Sequence, residues 1–176
     1  MAGGEAAWGL LQLGGRRMKL LVAGSRGFDH RSRENYLLVS RAIREAGYRG
    51  AVDASYVADP RMMGEGQTIE TPEDHVVTEV VSGGAAGVDS LGEDWATNEW
   101  VPLRVFGPDW GRYGKSAGFR RNEQMGDYAD ALVALWDGQS RGTKHMIEYM
   151  RSLGKPVHVQ VIAREGVRDG EVPRTD

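Results

Sequence analysis

The stretch Val80-Val81-Ser82-Gly83-Gly84-Ala85-Ala86-Gly87-Val88-Asp89 joins an apolar run to three glycines within five residues, then to an aspartate. The apolar run reads as the end of a buried strand. Glycines after it remove side chains where the backbone turns or a ligand comes close. A helix starting near Val88 would aim its unpaired N–H groups and its dipole at the turn, a setting that favours an anion. Read alone, the stretch fits a phosphate cradle and a tight strand-to-helix turn equally well.

The flanking segments alternate in period. Lys19–Ala23 is a short apolar strand ended by Gly24. Asp29 or Ser32 caps a helix with Tyr36, Val39, Ile43 and Ala46 on its apolar side, closed by Gly47. Val76–Val81 is the next strand, and a helix runs from about Val88 to Asn98. Leu103–Phe106, Ala131–Leu135 and Val157–Ile162 read as further strands, with helices over Gly118–Tyr128 and Thr143–Leu153 between them. Apolar strands separated by helices of about a dozen residues require right-handed crossovers and a parallel sheet. The expected fold class is α/β, an open doubly wound sheet with helices on both faces.

Three segments stand outside this pattern. Residues 1–17 read as a flexible extension without the order of a secretory signal. Residues 50–75 are too long for a simple connection and read as an insertion, with a possible strand at Ala54–Val57. The end from about residue 163 reads as a charged tail.

Composition narrows the chemistry. The 176 residues are 40% hydrophobic and 27% charged, close to an ordinary globular chain. There is no cysteine, so disulfides, thiolate metal sites and cysteine nucleophiles are excluded. No apolar run reaches the roughly 18 residues of a spanning helix, and the expected location is the cytoplasm. The formal net charge of −3 argues against binding nucleic acid by backbone neutralisation. The four histidines show no metal spacing, so no metal is expected. A full phosphate-binding GxxxxGK[ST] motif is absent, and Ser25, Ser82 and Ser140 lack a nucleophile-elbow context.

In open α/β sheets ligands sit beyond the carboxyl ends of the strands. The loops there are distinctive. After the first strand come Gly24, Ser25 and Arg26, a hydroxyl and a guanidinium beside glycine. After the second come Ser82, Gly83, Gly84, Ala85 and Gly87, with Asp89 placed to cap the helix or bond a sugar hydroxyl. After the third come Trp110 and Tyr113, able to stack on a base, with Lys115, Arg120 and Arg121 able to meet phosphate. After the fourth come Asp137, Gly138, Ser140, Gly142 and Thr143, again glycines before a helix, with Ser140 or Thr143 as its cap. Two glycine-bearing loops, after strands two and four, point to one shared anion site.

The motifs "GSRGF", "VVSGGAAGVDSLGEDWA", "GPDWGRYGKSAGFRRNEQM" and "ADALVALWDGQSRGT" occur in that order at strand ends. Together they resemble the YspA-like branch of the SLOG superfamily, Rossmann-like domains found in bacteria and their phages and related to the Lonely Guy phosphoribohydrolases and to DprA. The resemblance spans about residues 18–162, except the insertion. It implies a five-stranded sheet of order 3-2-1-4-5, a nucleotide or nucleotide-derived ligand, and a homo-oligomer. Against the hydrolase pattern, Arg121 and Met125 are kept, Asn122 replaces a lysine, and Met146 stands where a glutamate is expected. A thioether cannot stabilise an oxocarbenium-like centre or orient water. The expected function is therefore ligand binding, as a sensor or accessory factor. One alternative is a hydrolase of nucleotide N-glycosidic bonds, with Arg121 on the phosphate and Asp137 or Glu123 as the carboxylate. Another is a DprA-like single-stranded nucleic-acid binder.

Overall fold

A computed structural model describes residues 16–50 and 75–162. The expected tail, and nearly all of the expected insertion and N-terminal extension, lie outside the described residues. Within them the order is β1 (Arg17–Gly24), α1 (Arg33–Glu45), β2 (Tyr48–Arg49), β3 (His75–Ser82), α2 (Val88–Asn98), β4 (Leu103–Val105), α3 (Trp110–Tyr113), a 3₁₀ turn (Gly114–Ser116), α4 (Ala117–Tyr128), β5 (Ala131–Trp136), α5 (Arg141–Ser152) and β6 (Val157–Val161).

All strand pairings are parallel, and β4-β3-β1-β5-β6 follow one another across the sheet, the order expected for five strands. The sheet also has a sixth strand that the sequence did not disclose. Two-residue β2 pairs with the start of β3 at His75 and Val76, while β4 pairs with its end at Val80–Ser82. Two residues are too few to show a period of two. The segment expected to be a loop before α4 is also partly helical. Asp109 caps α3 by accepting a bond from the Arg112 N–H at 2.9 Å.

β1 and β5 are buried on both faces, which is why they read as unbroken apolar runs. Leu20 and Val22 of β1 pack with α1 and α2 against Val133 and Leu135 of β5. Leu21 and Ala23 pack on the opposite face with Met125 of α4 and Met146 and Met150 of α5. Gly92 lets α2 lie close on β1, since a Cβ there would come 2.7 Å from Val22 Cβ. Ser32 caps α1, accepting from the Asn35 N–H, and Gly47 follows the helix with φ +82°. These contacts bring the carboxyl ends of β1, β3 and β5 to one edge.

Candidate functional site

The three loops at that edge are locked to one another before any ligand is considered. The Ser25 N–H donates to Leu135 O at 3.1 Å, and the Ser25 hydroxyl accepts from the Asp137 N–H at 3.1 Å. The Ser82 hydroxyl donates to Glu93 Oε1 at 2.6 Å and accepts from the Gly84 N–H at 3.0 Å. Both hydroxyls are buried; Ser25 joins the loops after β1 and β5, and Ser82 ties the loop after β3 to α2.

Each glycine of the loop after β3 answers a neighbour. A Cβ on Gly87 would meet the backbone of Ser25 and Arg26, and its φ is +89°. Gly84, with φ +65°, takes the left-handed turn. Gly83 makes room for a side chain: a Cβ there would stand 2.6 Å from Arg121 Cζ and 2.8 Å from Asp89 Oδ2.

Arg121 and Asp89 form the charged centre of the site. Arg121, on α4, is 8% exposed, donates through Nη1 to Gly83 O, and leaves Nε without a hydrogen-bond partner. Asp89 does not cap α2; Gly87 is the N-cap residue and Asp89 sits in the first turn. Its carboxylate instead accepts from the Gly24 and Ala85 N–H groups, both at 3.4 Å. Burial pushes the Asp89 carboxyl up to about 6, against the opposing pull of Arg121 and the two amides. Burial likewise lowers Arg121; Asp89 opposes this and the nearby Arg26 adds to it. Arg121 thus lies under two opposing influences, the Asp89 carboxyl that favours its charge and the Arg26 guanidinium that disfavours it.

The loop after β5 supplies the opposite wall. Asp137 accepts from the N–H groups of Gln139 and Ser140 at 3.0 and 2.8 Å, so its carboxylate shapes the turn in which Gly138 takes φ +75°. The Ser140 hydroxyl caps α5 by accepting from the Thr143 N–H, and it also accepts from the Thr143 hydroxyl at 2.9 Å. The N–H groups of Arg141 and Gly142, in the first turn, have no intrahelical acceptor. The Asn122 amide donates to Gly142 O at 3.0 Å and ties α4 to this helix end.

Between the walls lies a cavity of about 140 Å³. Of the expected residues, Gly24, Arg26, Ala85, Asp89, Lys115 and Arg121 border it on one side, and Ser140, Gly142 and Thr143 on the other. Ser25, Ser82, Gly83, Gly84, Gly87, Asp137 and Gly138 stand behind it as framework. Glu123 does not border it, and its electrostatic influence falls on Tyr149. Trp110 is 56% exposed and lies at the rim, its Cη2 3.7 Å from where a Gly118 Cβ would be. Arg120 and Arg112 both lie over the Tyr113 ring, at 4.7 and 5.2 Å from its centroid.

The cavity also has an apolar wall that the motif reading passed over: Phe119, Met125 and Met146. Gly118, Arg121, Asn122 and Met125 share one helical face by their spacing. That register, laid over the motif, would have disclosed Asn122 and Met125 as neighbours of Arg121. Met146, singled out only for the missing glutamate, faces the same space from α5.

No protein-family model matches the chain, and no solved structure does. A curated phage protein is 36% identical over 87 residues, covering 44% of this chain and 67% of that protein. No helix among the described residues is long and apolar enough to cross a membrane, and none of their acidic and histidine side chains group as a metal site would require.

Proposed function

The chain belongs to the family of the Gene 61 protein of Mycobacterium phage D29, and for this member we propose the binding of a nucleotide or nucleotide-derived ligand through its phosphate, at the edge where β1, β3 and β5 end. The observation that carries the proposal is charge. Arg26, Lys115 and Arg121 border the cavity beside one carboxylate, Asp89, in a chain whose formal net charge is −3. The N-terminus of α5 adds its dipole and the Gly142 N–H. The buried Arg121 keeps Nε unpaired, a donor that a phosphate oxygen would satisfy.

Size supports the same reading. The space is small beside the roughly 300 Å³ of a pocket for a whole drug-sized molecule. It suits a phosphoryl group and part of a sugar, with the remainder at the rim. The resemblance to SLOG domains, drawn from the sequence, points to the same ligand class.

Isothermal titration calorimetry of the four nucleoside 5′-monophosphates against the purified protein is the test. Binding is expected, and Arg26→Ala with Lys115→Ala should weaken it about tenfold or more; both side chains are exposed, so the fold should survive. No heat from any of the four would overturn the proposal.

One observation favours a hydrolytic reading of the same site. Asp89 borders the cavity, and a carboxyl pushed up to about 6 is suited to donate a proton near neutral pH. Asp137 and Glu123, the carboxylates the sequence suggested, do not border the cavity. Release of free base from a nucleoside monophosphate, lost in Asp89→Asn, would establish this reading in place of binding alone.

A further inference from the structure

We propose that Phe119 is the side chain on which the ring of the ligand rests, so that the site selects phosphorylated molecules carrying a flat aromatic base over bare sugar phosphates. The inference rests on the phosphate-binding reading above and adds the part of the ligand outside the charged cavity.

Three aromatic residues stand near the opening. Tyr113 has Arg112 and Arg120 over its ring, so its faces are already engaged. Trp110 lies over Gly118, beside the cavity and not on its wall. Phe119 borders the cavity itself and still leaves 43% of its surface exposed.

The exposed phenyl group next to this cation-lined cavity is held by a neighbouring ring. The His145 ring packs against it at 4.7 Å between centroids, tilted by 60°. His145 in turn stacks on Tyr149 at 6.2 Å with an interplanar angle of 8°. Tyr149 is fixed by donating its hydroxyl to Asp127 at 2.8 Å. The phenyl ring is therefore braced by one neighbouring ring, which is itself held by a second ring and a hydrogen bond. Pre-ordering of this kind lowers the entropy lost on binding.

The cavity links the two halves of the ligand. Phe119 and Arg121 project from different sides of α4 by their two-residue spacing, yet both border the same cavity. A phosphate held at Arg121 leaves the attached sugar to bridge towards Phe119. Stacking on an aromatic side chain does not choose among bases, because every base presents a π face. The expected specificity is thus for the presence of a base, with little preference for which one.

The test compares each nucleoside 5′-monophosphate with ribose 5-phosphate by calorimetry. The wild-type protein should bind the nucleotides more tightly, by about fivefold to a hundredfold. In Phe119→Ala the ratio should fall towards one while ribose 5-phosphate affinity stays the same, and in Phe119→Tyr the ratio should persist. Tyr113→Ala should leave it unchanged. Equal wild-type affinities for nucleotide and ribose 5-phosphate, or an undiminished ratio in Phe119→Ala, would overturn the role of Phe119 while leaving phosphate binding intact. Failure of the wild-type protein to bind either probe would instead overturn the phosphate-binding reading on which this one stands.

Discussion

Gly83 lies in the middle of the glycine run, yet the group it admits belongs to the protein. Its φ is not in the left-handed region, so alanine is conformationally allowed and only the space is contested. The alanine methyl would displace the Arg121 guanidinium, which is buried and has few other places to go. Gly83→Ala should cost about 1–3 kcal/mol, as an overpacked core position does, read from the midpoint of urea unfolding. It should also weaken nucleotide binding, because Arg121 moves. A variant as stable as the wild type with unchanged affinity would show that this packing is not required. Asp89 makes a second prediction at the same scale. Its carboxyl is raised from 3.8 to about 6 in the folded protein, so the folded state holds the proton more tightly than the unfolded chain. Its contribution to stability is complete below about 3.8 and is lost as pH rises through about 6. Urea unfolding at pH 5 and pH 7.5 should therefore show the wild type losing stability relative to Asp89→Asn, by on the order of 1 kcal/mol. Parallel pH profiles for the two proteins would contradict the assignment.

At the scale of elements, helix ends organise the site. α5 is capped by Ser140 and points its first turn at the cavity. α4, which carries Phe119, Arg121 and Asn122, is fixed at its far end by Lys155. The Lys155 ammonium donates to the carbonyls of Gly126, Asp127 and Ala129 at 2.7, 2.9 and 2.7 Å. A cation there satisfies carbonyls that the helix leaves unpaired and complements its dipole. Lys155→Met keeps the apolar stem and removes only this cap. It should lower stability by about 1–3 kcal/mol and speed amide exchange in the last turn of α4, both readable by hydrogen exchange with denaturant. Unaltered protection of that turn would argue against the cap. Lys155 lies 26 to 29 residues from its acceptors, so no local pattern signals the contact.

For the whole molecule, the alternation of strands and helices was legible because each period is local. Leu20–Ala23 is an unbroken apolar run because Leu20 and Val22 meet one face of the sheet and Leu21 and Ala23 the other. Once strands and helices alternate, handedness and parallel pairing follow, and the loops after β1, β3 and β5 must meet at one edge. The sequence by itself thus determined the α/β architecture and the edge at which the glycine loops gather, while the order of the five longer strands came only from the resemblance to SLOG domains. The tertiary structure decided what the polar residues of those loops do. Ser25 and Asp137, 112 residues apart, spend a hydroxyl and an amide on each other. Gly83 accommodates Arg121, 38 residues away, and Asp89 bonds amides from two loops. Tyr113 is engaged by two arginines, while Phe119 takes the cavity wall. Periodicity specifies which face a residue takes, but a hydrogen bond or a displaced methyl group depends on distances through space that only the packed chain sets.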